Sequence, residues 1–309
     1  MAHETPESIG GKMNGLGIWD SLAPYNWIVK PRGTVFPYFC SILKGDGKPV
    51  AIRLLLIEGW QTFHDYVRTT VDRNWGFYLS PMEMPHFELV IFSTGKAEVF
   101  RHDPGYLPMP VKGPERELVS KLLWEAYGVM MRVESDRELP LKFASQRAMF
   151  ARVETESGWE DRPVEIPPPR PHVEKVLLKK DTVDAVKDLP FAESEKLDLD
   201  FRILPGVVTK EARPRCAYAL LAIDGETGEI AISERMSVSP DNGLRGLWEG
   251  LASRVLDGFV RMGRVPGELR VCSGRVFRLL RPICPHIPFK LSLHDALPRL
   301  EKAMGGTNA

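Results

Sequence analysis

Cys216-Ala217-Tyr218-Ala219-Leu220-Leu221-Ala222-Ile223, then Asp224-Gly225-Glu226-Thr227-Gly228-Glu229, then Ile230-Ala231-Ile232-Ser233, reads as two strands joined by a turn. The outer runs are apolar or alternating, and the glycines between them supply the positive φ that tight turns need. The same order of cues stands earlier in the chain. There Val35-Phe36-Pro37-Tyr38-Phe39-Cys40-Ser41-Ile42-Leu43, Gly45-Asp46-Gly47-Lys48 and Val50-Ala51-Ile52-Arg53-Leu54-Leu55-Leu56-Ile57 follow one another. A helical stretch comes after each hairpin. Phe87–Ser93 is then echoed by Gly267–Ser273, and Gly95–Arg101 by Gly274–Arg278. The quasi-repeat predicts an α+β fold of two related modules, each a largely antiparallel sheet with a β-hairpin and packed amphipathic helices. It specifies architecture and not chemistry.

The totals agree with two modules. The chain has 309 residues, 43% of them hydrophobic and 27% charged, enough for two cores at about 150 residues per domain. Its 41 basic and 41 acidic residues cancel, which argues against non-specific attraction of the whole surface to nucleic acid or anionic lipid. Locally the balance shifts. Between Glu154 and Asp200 there are 13 acidic and 7 basic residues, and between Gly243 and Lys290 there are 9 basic and 3 acidic. Glu4 and Glu7 stand where a signal peptide would be basic, and no apolar run approaches the roughly 18 residues of a membrane helix. Cys40, Cys216, Cys272 and Cys284 are far apart and read as reduced core thiols. A soluble cytoplasmic protein without membrane attachment is expected.

Residues 1–34, Gly-rich with Trp19, Tyr25 and Trp27, are expected to form an arm on the first module, 35–160. Trp60, Phe63, Val67 and Val71 recur at helical spacing. Residues 97–101 pair with 87–93 across Thr94-Gly95-Lys96. Gly113-Pro114-Glu115 opens a helix with Leu118, Val119, Leu122, Leu123, Ala126, Tyr127 and Met130 on its buried side. A strand pair is expected around Ser157-Gly158. Pro163, Pro167, Pro168, Pro169 and Pro171 then mark a semi-rigid spacer, placed in a linker over 161–196. The second module, 197–309, holds a period-two strand from Leu197, the second hairpin and a helix from about Leu244 to Met262. A strand at 268–272, a helical segment near 275–283, a strand at 286–291 and a final helix complete it.

The connection Pro104-Gly105-Tyr106-Leu107-Pro108 into the helix of Glu115–Tyr127 resembles the N-terminal half of an uncharacterised bacterial two-module family, two consecutive domains of unknown function. Trp248 to Leu256, Val265-Pro266-Gly267-Glu268-Leu269-Arg270-Val271 and Leu297-Pro298-Arg299-Leu300 are similar to its second module. The resemblance implies a fold and a bacterial cytosolic origin, and brings no activity with it.

No glycine signature for nucleotides and no His-x-x-x-His or Cys-x-x-Cys spacing is present, so neither a cofactor nor a metal site is expected. His64 falls on the buried side of its helix, as a hydrogen-bonded core residue. His86, His102-Asp103 and His294-Asp295 border turns or helix starts, where capping is the ordinary role. Cys284-Pro285-His286 reads as a buried thiol and a strand-start histidine. Asp224, Glu226 and Glu229 crowd a hairpin tip, a solvated turn. Glu115 and Glu117 suit the positive end of a helix dipole.

One cluster offers binding chemistry. In a helix over 275–283, Val276, Leu279, Leu280 and Ile283 face inward and Arg275, Arg278 and Arg281 outward. Ser273-Gly274 precede them at a strand-to-helix junction, and Arg270 lies in the strand before. Guanidinium forks beside free backbone donors suit carboxylate or phosphate, although a solvated helix face is the plainer alternative. The expected function is therefore a non-enzymatic binding or adaptor protein acting through protein–protein contacts. The alternatives are nucleic-acid association through the basic C-terminal face, and an enzyme assembled from distant residues such as His64, His102 and Asp103. The sequence leaves the partner and the oligomeric state open.

Overall fold

The computed structural model of the chain describes residues 4–23, 25–44, 50–71, 83–143, 147–170, 175–207 and 213–305. They fall into two compact units. The chain up to Val67, Met84–Asp103 and Pro108–Arg170 make the first; Glu83, Pro104–Leu107 and the C-terminal half make the second.

The first unit begins with helices α1 (Pro6–Asn14) and α2 (Trp19–Leu22) and strand β1 (Trp27–Lys30). Strands β2 (Tyr38–Lys44) and β3 (Val50–Glu58) pair as the expected hairpin; its Gly45-Asp46-Gly47-Lys48 turn lies outside the described residues. Next come α3 (Trp60–Val71), β4 (His86–Phe92), β5 (Ala97–His102) and β6 (Met109–Pro110). Helices α4 (Glu115–Ser135) and α5 (Leu139–Phe143) and strands β7 (Ala148–Glu154) and β8 (Trp159–Glu165) end the unit. The eight strands form one sheet in the order β6-β5-β4-β3-β2-β1-β7-β8, antiparallel except where β1 meets β7.

Period-two alternation sends Trp27, Val29, Leu54, Leu56, Phe87, Leu89 and Phe150 to one side of this sheet. There they form a core with Ile9, Met13, Leu22, Leu122, Ala126 and Met130 of the helices. Thr5 caps α1, its Oγ1 accepting from Ser8 N at 3.2 Å. A Cβ at Gly10 would stand 2.7 Å from Ala97 Cβ, so glycine lets α1 lie directly on the sheet. Ile9, Met13, Trp19, Leu22, Trp27 and Val29 of the segment expected as an arm thus lie in the core, and β1 is an inner strand of the sheet. On the opposite face Phe39 stacks on Phe63 of α3 at 4.1 Å.

The second unit holds α6 (Lys180–Lys187), β9 (Phe191–Val207), β10 (Cys216–Asp224) and β11 (Ile230–Met236). Helices α7 (Gly243–Glu249) and α8 (Leu251–Met262), strand β12 (Val265–Val271), α9 (Gly274–Leu280), a 3-10 turn (Arg281–Ile283), β13 (Lys290–Leu293) and α10 (Pro298–Gly305) follow. The helix expected over 244–262 breaks at Gly250, which ends α7 and starts α8. Its sheet runs β11-β10-β9-β12-β13, with β12 parallel to both neighbours. Residues expected in the linker belong to packed elements: Val183 and Val186 of α6 lie in the core with Leu197, Tyr218, Phe259 and Leu269.

The two sheets share a four-strand core, β3-β2-β1-β7 and β11-β10-β9-β12, with two antiparallel pairings and then a parallel one. The structural counterpart of β12 is thus β7, not the β4 that the sequence echo matched to it. β4, β5 and β6 are an addition on the far edge of the first sheet. The echo of Gly95–Arg101 in Gly274–Arg278 fails for the same reason, since β5 is a strand and α9 a helix.

At Gly267 the register between β9 and β12 shifts, and a Cβ there would lie 1.9 Å from the backbone oxygen of Glu193. Backbone held in a ladder cannot yield as a side chain can. Gly267→Ala should destabilise the protein by about 3 kcal/mol in denaturant unfolding.

Candidate functional site

Two groups of polar side chains lie inside the units. The first sits on the added strands of the first unit, on the α3 face of the sheet. His86 and Glu88 are two residues apart on β4, hence on one face. His102 on β5 pairs directly with His86, because the tight turn after Phe92 fixes the register. All three are buried, as is Ser41, whose Oγ lies 2.7 Å from the Tyr66 hydroxyl. The two imidazoles stack with centroids 4.1 Å apart and planes at 17°. His86 Nδ1–H donates to the Met84 carbonyl at 2.9 Å, and His102 Nε2–H donates to Glu88 Oε2 at 2.7 Å. Arg53 Nε–H of β3 donates to the other oxygen, Oε1. Among the described residues neither His86 Nε2 nor His102 Nδ1 has a hydrogen-bond partner.

Burial, then the neighbouring His102, pushes His86 down to about 4 and keeps its ring neutral at pH 7. Burial would raise the Glu88 carboxyl, but the hydrogen bonds from His102 and Arg53 hold it at about 2. One donor atom from each of His86, Glu88 and His102 lies within 4.8 Å of the other two. His102 therefore bonds across the strands to Glu88 and not at a turn, and three residues able to ligate a metal meet here without a recognisable linear spacing.

The other named candidates stay apart. His64 is half-buried and its Nε2–H donates to the Pro167 carbonyl at 2.8 Å. Asp103 accepts from Arg101 Nε–H at 3.1 Å. Cys284 is half-buried while His286 is exposed, and His294 Nε2 lies 3.0 Å from Ser292 Oγ. Asp224 accepts from the backbone N–H groups of Glu226 and Thr227, as a turn residue does. All four cysteines are free. Burial pushes Cys216 and Cys272 up to about 11 and raises Cys40 and Cys284, away from reactive thiolates.

The second group surrounds the expected arginine cluster. Ser273 Oγ accepts from Val276 N at 3.4 Å and caps α9, and Gly274 is buried. Arg270 reaches across the sheet to Asp198 at 2.6 Å. Arg275 does not face outward. It is 7% exposed, its guanidinium lies 3.6 Å from the Trp248 ring centroid, and Glu83 stands 3.5 Å away. Trp248 Nε1–H donates to the other oxygen of Glu83 at 3.3 Å. Arg278 is half-buried and Arg281 is exposed on the 3-10 turn. The wheel misplaced Arg275 because α9 is short and seven residues give way to a tighter turn at Arg281.

Residues 182–306 match the protein-family model described as Domain of unknown function (DUF6930). No curated protein and no solved structure matches the chain. Among the described residues no helix is long and apolar enough to cross a membrane.

Arg275 is held by an indole and a buried carboxylate, so Arg275→Met should destabilise the fold by about 3–5 kcal/mol by leaving Glu83 without that charge. Arg281→Gln should stay within about 0.5 kcal/mol. Thermal and urea unfolding of the two variants side by side checks the difference.

Proposed function

We propose that this is a non-enzymatic binding protein of the bacterial cytoplasm, an adaptor working through protein–protein contacts at the edges of its second sheet. The observation that supports this over the nucleic-acid reading is the internal pairing of the basic surplus. Of the nine basic residues between Gly243 and Lys290, at least seven have a carboxylate partner. Arg245 meets Glu249, Arg254 and Arg261 meet Glu234, and Arg264 meets Glu195. Arg270 meets Asp198, Arg275 meets Glu83 and Lys290 meets Glu268. Each of these side chains would have to exchange its carboxylate for a phosphate to bind nucleic acid, which lowers the net gain.

Each edge strand of this unit carries one exposed apolar side chain among polar ones. β11 and β13 terminate the sheet, and they carry Ile230 and Leu293, 65% and 49% exposed. An edge strand offers alternate backbone donors and acceptors, and an exposed apolar side chain beside them can seat the side chain of an added strand. A second reading, an enzyme built from distant residues, is favoured by one observation: His102 lies against Glu88 and His86.

Co-purification of the full chain from its native host tests the adaptor reading. A protein partner that survives nuclease and high salt, and is lost from the Ile230→Lys/Leu293→Lys variant, supports it. Recovery of nucleic acid alone, or a partner indifferent to both substitutions, overturns it.

A further inference from the structure

The buried cluster on β4 and β5 has no part in edge-strand binding. We propose that His86, Glu88 and His102 form a site for one divalent transition-metal ion of the zinc type. Two imidazoles and a carboxylate are a donor set that suits zinc or cobalt, whereas magnesium and calcium prefer oxygen alone. Their donor atoms, within 4.8 Å of one another, need to close by up to about 1.4 Å to reach the roughly 3.4 Å between ligands of a tetrahedral ion.

Two features set the cluster apart from an ordinary buried ion pair. The first is His86. Its Nδ1–H is given to the Met84 carbonyl, which fixes the tautomer and leaves a lone pair on Nε2, a buried nitrogen with no hydrogen-bond partner among the described residues. A metal-binding histidine is oriented by this same device, the second ring nitrogen held by a carbonyl or carboxylate. A buried polar atom left unsatisfied is otherwise uncommon and destabilising. The second is Glu88. Arg53 holds one oxygen and His102 the other. An ion replacing the proton shared with His102 would leave Arg53 as the outer partner of the ligating carboxylate.

The stack must open for this to happen. An ion lies in the plane of each imidazole that binds it, and rings at 17° with centroids 4.1 Å apart have no common point at bonding distance. Binding therefore turns His102 out of the stack, and the proton on its Nε2 passes to Nδ1, so that the neutral ring offers Nε2 to the ion. Three protein donors leave a fourth position for water or an anion.

The test uses the full chain, stripped with a chelator and titrated with Zn²⁺ or Co²⁺. One ion per chain is expected, with visible Co²⁺ absorption of tetrahedral intensity. His86→Gln and His102→Gln should each weaken binding about tenfold or more, while His64→Gln should not. If the buried-site variants fail to fold, zinc-edge X-ray absorption of the unaltered chain decides, since it needs no variant. A shell with two imidazoles and a carboxylate supports the site. Absence of stoichiometric binding, a shell of water or thiolates, or folded His86 and His102 variants that bind as the parent does, overturns it.

Discussion

In each sheet the hairpin is tied by a parallel pairing to a strand far along the chain. Ile28, Val29 and Lys30 of β1 lie beside Ala151, Arg152 and Val153 of β7, and Leu197 and Leu199 of β9 beside Leu269 and Val271 of β12. A parallel pair cannot be joined by a tight turn; it needs a long crossover. That constraint places α4 before β7 and α8 before β12. The helices cover the sheet face on which the alternating residues bury their apolar side chains. The hairpins that dominate the sequence depend on this pairing for their core, since a lone two-stranded ribbon is marginal in water.

The hairpins, the amphipathic helices and the α+β character were legible because each is a local pattern of period two or 3.6. The parallel pairings were not, because nothing near Val29 points to Arg152. The same gap explains the failed echo. A short apolar strand followed by Ser and Gly looks alike at Phe87–Ser93 and Gly267–Ser273, while position in the sheet is set by which edge is still open. In the first unit β1 already pairs with β2 and β7 on its two sides, so β4 adds to β3.

The histidine cluster was closer to readable. His86 and Glu88 interrupt an apolar strand at alternate positions, and the turn at Thr94-Gly95-Lys96 implies a register that carries His102 opposite His86. Polar residues on the inward face of a strand were the available signal. Arg53 and Tyr66 add to that environment only through tertiary packing. For Arg275 helical spacing points the wrong way: an arginine there reads as solvated, whereas the distant Glu83 and Trp248 receive it in the interior.

Glu83 also bears on where the protein can be divided. The stretch matched by the family model, 182–306, excludes Glu83, which meets Arg275, and Leu107, whose N–H donates to the Pro214 carbonyl at 3.0 Å. It also starts two residues into α6. A fragment cut to those limits would carry Arg275 in its interior without that carboxylate, and would lack the Gly105 carbonyl that accepts from Cys216 N at 2.9 Å. The borders of the sequence domain are therefore narrower than those of the compact unit, which takes in Glu83 and Pro104–Leu107 from far upstream.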